Sequence, residues 1–163
     1  MVGLFVRQAV NDDFESILSV YEKAREFMKN TGNPSQWGST YPTKQMLEND
    51  LEKGQLFVVE HLGMVVGSFV FFVGIEPNYA YIENGEWAKN GEYGVLHKVA
   101  SDGSVKGVFG SVLAFAKSKA DYLRIDTHAD NKVMQSLLDK NGFTRRGVVY
   151  MRDDGTPRFA YDR

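Results

Sequence analysis

The turn Ser104-Val105-Lys106-Gly107-Val108-Phe109-Gly110-Ser111 lies between an apolar stretch, Tyr93–Ala100, and an apolar-periodic one with Val108, Val112, Phe115 and Ala116 on its core face. Where a strand turns into a helix, the first backbone N–H groups of the helix have no partner of their own. The helix dipole is positive there, so such a turn can hold a phosphate. Lys106, Gly107 and Gly110 permit close backbone approach, and Ser111 adds a hydroxyl. A tight strand-to-helix turn with glycines for packing fits the same spacing. The turn contains neither Gly-Lys-Ser/Thr nor G-x-G-x-x-G, which counts against a nucleotide-binding α/β domain.

Groups able to accept a proton occur at three places. His97 falls on an apolar strand, and its ordinary pKa of about 6.5 suits general-base work; a hydrogen-bonded structural histidine is the other reading. Glu83 and Glu86 lie in the irregular stretch 76–92, where they can act as base through water, bind a cationic acceptor, or stay solvated. Asp126 and His128 end a strand, where ligands gather in open α/β sheets, although Asp126 can equally cap a turn. Gln36, Trp37, Tyr41, Tyr79, Tyr81 and Trp87 can line an acceptor pocket or plug the end of the core. The spacing of His97, His128 and the nearby acids matches no zinc pattern, so no metal is expected.

The elements that must position these residues are legible from periodicity and turn chemistry. Leu4–Val6 begins a strand, Asp12 and Glu15 suggest a capping box, and Phe14, Ile17, Leu18, Tyr21 and Met28 share one helical face. Gly32-Asn33-Pro34 ends that helix, and Thr43 caps a second one that stops at Gly54. Gln55–Glu60 and Met64–Ile75 read as antiparallel strands, with a further short strand expected at Tyr79–Glu83. Tyr122–Thr127 is a strand, and Val133/Leu137 with Met134/Leu138 mark a helix ended by Gly142. Val148–Met151 and Arg158–Tyr161 close the chain as a hairpin around Asp153-Asp154-Gly155. The result is a single mixed α/β domain over 1–163 with at least one parallel strand pair.

Its 163 residues, 43% of them hydrophobic and 13% aromatic, suffice for one core. A net charge of −2, with Lys and Arg scattered, speaks against a nucleic-acid partner. The absence of cysteine excludes disulfides, thiolate zinc sites and a cysteine nucleophile, and makes a reducing cytoplasm the expected compartment. Neither a signal peptide nor a membrane span is expected.

From Leu96 to Phe143 the order and spacing resemble the acyl-CoA-binding half of the GNAT N-acetyltransferases. The family's pyrophosphate loop, Q/R-x-x-G-x-G/A, aligns on Gly107, with Ser104 replacing the basic or amide residue and Phe109 the small one. The family pattern N-x-x-A-x-x-L-Y-x-x-x-G-F is met by Asn131, Leu137, Gly142 and Phe143, with Met134 for the alanine and Leu138 for the tyrosine. The resemblance extends to the N-terminal strand and two helices, and so to essentially the whole domain. It implies a GNAT-like acyl-CoA N-acyltransferase fold: a central, mostly antiparallel mixed sheet flanked by about four helices.

The resemblance also implies acetyl-CoA as co-substrate. Main-chain groups of Val99 and Ser101 would hold the pantetheine arm. The turn from Ser104 through Val105, Lys106, Gly107, Val108, Phe109 and Gly110 to Ser111 would hold the pyrophosphate. Asn131 would bond the cofactor arm or fix the loop beneath it. The implied reaction acetylates a primary amine of a small molecule or peptide. His97 or Glu83 would take the proton, and Trp37, Tyr41, Tyr81 and Glu83 would line the acceptor. Leu138 stands where the family often has a tyrosine that protonates the leaving thiolate, which makes Tyr150 or Tyr161 the nearest substitutes. A GNAT-like domain that binds acyl-CoA or a partner without catalysis is the alternative. Dimers are common among such proteins, so a homodimer is open to this one.

Overall fold

The Val- and Phe-rich stretch after Gly63 becomes the spine of a seven-stranded sheet in the computed structural model, which describes residues 3–163. Among the described residues the chain runs β1 (Phe5–Gln8), α1 (Phe14–Asn30), α2 (Lys44–Glu52), β2 (Leu56–His61), β3 (Met64–Gly74) and β4 (Tyr93–Ser101). It continues through α3 (Val108–Lys119), β5 (Leu123–Thr127), α4 (Lys132–Lys140), β6 (Thr144–Tyr150) and β7 (Pro157–Asp162). The strand order is β1-β2-β3-β4-β5-β7-β6, and only β4 with β5 is parallel. This is the mixed, mostly antiparallel sheet with four helices that the sequence implies.

The parallel pair positions the site. β4 and β5 meet only at Gly94–Leu123 and Val95–Arg124. Gly94 permits that closeness, since a Cβ there would lie 2.7 Å from Leu123 Cδ2. Beyond this point β4 runs on to Ser101 and β5 to Thr127 with no ladder between them. The sheet therefore opens as a wedge, and the main-chain groups on its inner edges must find other partners. On its other side β4 bulges: Ser68 faces Ala100 and Val70 faces His97, leaving Lys98 and Val99 opposite Phe69. Lys98 takes a φ of 52°, and such a bulge bends the strand and re-aims its side chains.

Successive residues of a strand point to opposite faces. Phe69, Phe71 and Leu96 are buried with Val112, Leu113 and Leu138 beneath α3 and α4. Val58 and Val70 point the other way, against Ile17, Tyr21 and Leu47 of α1 and α2. The remainder of that second face, around Val95 and Ala160, is covered by the stretch between β3 and β4 through Tyr79, Ile82 and Trp87.

That stretch departs from expectation. Tyr79–Glu83 forms no strand; Pro77–Tyr79 is a 3-10 turn, and a single bridge joins Glu83 to Val148. Pro77 opens the turn at the position where its missing N–H costs nothing, and Tyr79 is almost wholly buried. Gly85 and Gly147 let the backbones meet, because a Cβ at Gly85 would lie 1.7 Å from Arg146 O. The buried Arg124 guanidinium stacks on Tyr93 and Trp87, 3.8 and 4.2 Å from their ring centres, and donates to Lys89 O at 2.7 Å.

Two smaller differences concern ends of elements. Asp13 rather than Asp12 organises the start of α1: its carboxylate accepts from Val10 N at 2.8 Å and pairs with Arg7 at 2.7 Å. β6 starts at Thr144, earlier than Val148, because its pairing with β7 continues past a bulge at Arg145–Gly147.

Candidate functional site

The wedge opens into a cleft with two lobes. The larger has a volume of about 570 Å³ and is bounded by His97 of β4, Asp126 of β5 and Arg158 of β7, with Trp37, Tyr41 and Glu76 closing it. The smaller, about 130 Å³, is largely apolar and lies between β4 and the two helices α3 and α4, among Ala100, Val108, Phe109, Met134 and Leu137. The lobes share Met28, Val99, Asn131 and Met134. A long, narrow ligand can therefore enter along the apolar lobe and present its end to the polar one at the β4 bulge.

Of the glycine turn, Val108 and Phe109 line the smaller lobe, whereas Ser104, Val105, Lys106, Gly107, Gly110 and Ser111 line neither lobe. Gly107, at φ 90°, is the residue before α3, a conformation that favours glycine. Within α3, Ser111 N donates to Gly107 O at 3.1 Å, so the N–H groups of Val108, Phe109 and Gly110 precede the first helical acceptor. Asp102 rigidifies the approach by accepting from Ser104 N at 2.9 Å and Ser104 Oγ at 2.6 Å; Ser101 Oγ accepts from Gly103 N at 3.1 Å. Val108 and Phe109 are buried, whereas Lys106 and Gly110 are exposed. A Cβ at Gly110 would meet nothing within 4 Å, so packing does not require that glycine. Gly67 is different: a Cβ there would lie 2.7 Å from Val108 Cγ1, and its absence seats the start of α3 on β3.

Asn131 ties the turn before α4 to the α1–α2 loop. Its Oδ1 caps α4 by accepting from Met134 N at 3.0 Å, and its Nδ2 donates to Gln36 Oε1 at 3.0 Å. Gln36 Oε1 also accepts from Asn33 Nδ2 at 3.0 Å. Trp37, next in the chain, is buried against Tyr21 and Tyr41. Burial of Tyr41 pushes its hydroxyl pKa up to about 12, which keeps it protonated and a donor at neutral pH.

The polar lobe holds two charged pairs. His97 Nε2 faces Glu76 Oε1 at 3.4 Å, looser than a normal hydrogen bond and effective as a charge contact when the ring is protonated. Glu76 also accepts from Asn78 Nδ2 at 2.8 Å. Burial alone would raise the Glu76 carboxyl, but His97, Asn78 and the Lys98 charge outweigh it and hold the group below its ordinary value. Asp126 accepts from Tyr79 Oη at 2.7 Å and faces Arg158 Nη1 at 3.3 Å. Burial and the Asp126 charge drive the Tyr79 hydroxyl far above its usual pKa, so it acts as a donor. Lys98 is engaged elsewhere, on Asp50 at 2.7 Å.

The structure separates the candidate residues. His97, Val99, Trp37, Tyr41 and Asn131 converge on the cleft, and Ser101, Val108 and Phe109 line the smaller lobe. Glu83, Tyr81 and Tyr150 do not line it; Tyr150 Oη donates to Glu83 Oε1 at 2.7 Å at the surface of β6. Tyr161 is buried in the core beneath α4, as is Leu138, with no exposed surface. His128 Nδ1 accepts from Asp130 N at 3.0 Å, which makes it a turn residue. Trp87 fills the core, its Nε1 bonded to Tyr79 O at 3.1 Å. Glu76 and Arg158 are among the cleft residues that the sequence does not mark. Glu76 stands directly before Pro77, where a chain changes direction; nothing near Arg158 marks it, because the β5–β7 pairing that brings it to Asp126 skips a strand.

Three solved structures place this geometry among known proteins. An acetyltransferase of the GNAT family from Streptococcus agalactiae 2603 is 28% identical, with a TM-score of 0.88 over 99% of this chain and 95% of that one. An N-acetyltransferase from Staphylococcus aureus Mu50 is 20% identical, with a TM-score of 0.62 over 99% and 98%. A ribosomal-protein-alanine N-acetyltransferase from Brucella melitensis is 19% identical, with a TM-score of 0.64 over 98% of each chain; these last two share the fold. No protein-family model and no curated sequence matches the chain.

Proposed function

This chain is an acetyltransferase of the GNAT family, and from that premise we propose that it transfers the acetyl group of acetyl-CoA to a primary amine of a small molecule or peptide. The observation that carries the reading is the two-lobed cleft joined at Val99 and Asn131, beyond the point where the β4–β5 ladder stops. The apolar lobe suits the pantetheine arm, and the glycine turn with the start of α3 suits the pyrophosphate. The donor set fits the group: unladdered strand edge, apolar walls, and helix N–H groups ahead of Ser111.

Chemistry belongs to the polar lobe. The amine nitrogen bonds to the thioester carbonyl carbon, the carbon–sulfur bond breaks, and the amine gives up a proton. His97 takes that proton. Glu76, 3.4 Å from Nε2, steadies the imidazolium that forms. Main-chain N–H groups of the β4 bulge polarise the carbonyl. Leu138 supplies no proton, and none is required of it: the sulfur leaves as a thiolate and takes its proton from solvent. Held orientation of the two substrates supplies much of the rate.

Thermal melting with acetyl-CoA, desulfo-CoA and ATP, paired with free-thiol release in the presence of an amine panel, tests the reading. Acetyl-CoA at ~100 times its Kd stabilises the protein by about 2.7 kcal/mol, and thiol release requires an amine. Equal stabilisation by ATP, or none by acetyl-CoA, overturns it. Binding without amine-dependent thiol release would instead support the non-catalytic alternative.

A further inference from the structure

Arg158 is under-used for a guanidinium in its position. Its side chain is 12% exposed, and Nη1 makes one contact, 3.3 Å from Asp126. Its Nε is buried with no hydrogen-bond partner. A guanidinium carries five N–H donors in a planar fork that matches a carboxylate. At the end of β5, Thr127 is 1% exposed and its Oγ1 is likewise buried without a partner. Both residues line the polar lobe. Arg158 lines the cavity, and apart from Nη1 its fork has no protein partner, while Nε and Thr127 Oγ1 are closed off within the same wall; buried polar groups are normally satisfied.

The other end of the lobe is chemically distinct. His97 and Glu76 form the proton-accepting pair, and Tyr79 spans the interval: its ring centre lies 6.0 Å from that of His97, and its hydroxyl is bonded to Asp126. The Tyr79 ring and the Asp126 carboxylate it bonds therefore lie between the amine-handling group and Arg158. Resting on the acetyltransferase reading above, we propose that the acceptor is a compact amine bearing a carboxylate, of the amino-acid class. Its carboxylate sits on Arg158 beside Thr127, and its amine faces His97. Asp126 is a positioning residue: held by Tyr79 Oη, it keeps the Arg158 fork at the cavity. The acidic pair Asp153 and Asp154 at the exposed rim discourages a larger polyanion and leaves a short zwitterion as the fitting ligand.

The test measures acetyl-CoA-dependent thiol release for a set of L-amino acids, their C-terminal amides, their decarboxylated amines and a phosphate-bearing amine. Each is run with wild type and Arg158→Gln. Losing a charge-assisted pair in a dry site reduces affinity roughly tenfold or more. The expected ratio of kcat/KM for amino acid over amide is therefore about tenfold or greater in wild type, and it collapses towards unity in Arg158→Gln. Because the ratio is taken within one protein sample, partial unfolding of the variant cancels.

A wild-type ratio near unity, or a ratio unmoved by Arg158→Gln, overturns the carboxylate site while leaving amine acetylation intact. Preference for the phosphate-bearing amine overturns the amino-acid class and retains the anion site. If no acceptor turns over, calorimetry with CoA and the N-acetyl amino acids against their N-acetyl amides decides. Binding selective for the free carboxylate and lost in Arg158→Gln supports the site, and unselective or absent binding overturns it. Failure of acetyl-CoA itself to bind would fall on the acetyltransferase reading instead.

Discussion

Replacing Asn131 by alanine removes two interactions at the joint between the lobes. The first is the cap: Asn131 Oδ1 accepts from Met134 N at 3.0 Å, and losing an asparagine cap costs about 1 kcal/mol. The second is the 3.0 Å bond from Nδ2 to Gln36 Oε1, worth about 1 kcal/mol. Gln36 Oε1 keeps its bond from Asn33, so the acceptor is not left orphaned and the second loss falls towards the lower end, about 0.5 kcal/mol. The sum is about 1.5 kcal/mol, and for a domain of this size each kcal/mol lowers Tm by about 2–4 °C. Scanning calorimetry at pH 7 should therefore show Asn131→Ala melting about 3–6 °C below wild type. Asn131→Asp keeps the acceptor for Met134 N but turns an oxygen towards Gln36 Oε1, so it should lose only the smaller part, about 1–2 °C. Both variants loosen the α1–α2 loop over the cleft, so acetyl-CoA affinity should fall with Asn131→Ala. A Tm within 1 °C of wild type for alanine, or aspartate as damaging as alanine, would refute the division into cap and bridge.

His97→Gln should lower kcat by about 100-fold or more, as removal of a general base does, with the acetyl-CoA melting shift retained; a near wild-type rate assigns the proton to another group. Glu76 has its pKa lowered by His97, Asn78 and Lys98 against the effect of burial. Its stabilisation is thus present above its unfolded pKa of about 4.3 and lost as pH falls through the lower folded value. The Tm gap between wild type and Glu76→Gln should accordingly shrink on acidification from pH 6 to below 4, and a constant gap counts against the contact. Gly67→Ala drives a Cβ to 2.7 Å from Val108 Cγ1 and 3.0 Å from Ala100 O, so it should destabilise by about 1–3 kcal/mol and weaken acetyl-CoA binding. Gly107→Ala, at φ 90°, should cost about 1–2 kcal/mol. Gly110→Ala, in open helical space, should stabilise the fold by up to about 1 kcal/mol, while reducing acetyl-CoA affinity. Calorimetric titration that finds Gly110→Ala binding as tightly as wild type would remove the pyrophosphate from that turn.

Local chemistry was enough to read much of this protein. Thr43 and Asn131 are caps because a short polar side chain ahead of an apolar-periodic run has free N–H groups to bond, and both bonds form. The glycine turn, the strand before it and the helix after it follow from periodicity and glycine placement, and they put Val99, Ser101, Val108 and Phe109 at the cleft. The aromatic residues of the stretch 76–92 suit a strand locally, yet Tyr79–Glu83 forms none. What decides its course is the close backbone approach at Gly85 and Gly147 and the stacking of Arg124 on Trp87, all long-range contacts. The same limit governs the site. His97 was visible as a type, but its partner Glu76 was not, and the surface pairing of Glu83 with Tyr150 only appears once β6 lies beside that stretch. Arg158 reaches Asp126 across 32 residues because β7 inserts between β5 and β6. Sequence determines which segments can turn, cap and alternate; strand order and the point where β4 and β5 part are settled by packing across the whole sheet, and that packing decides which charges share a cavity.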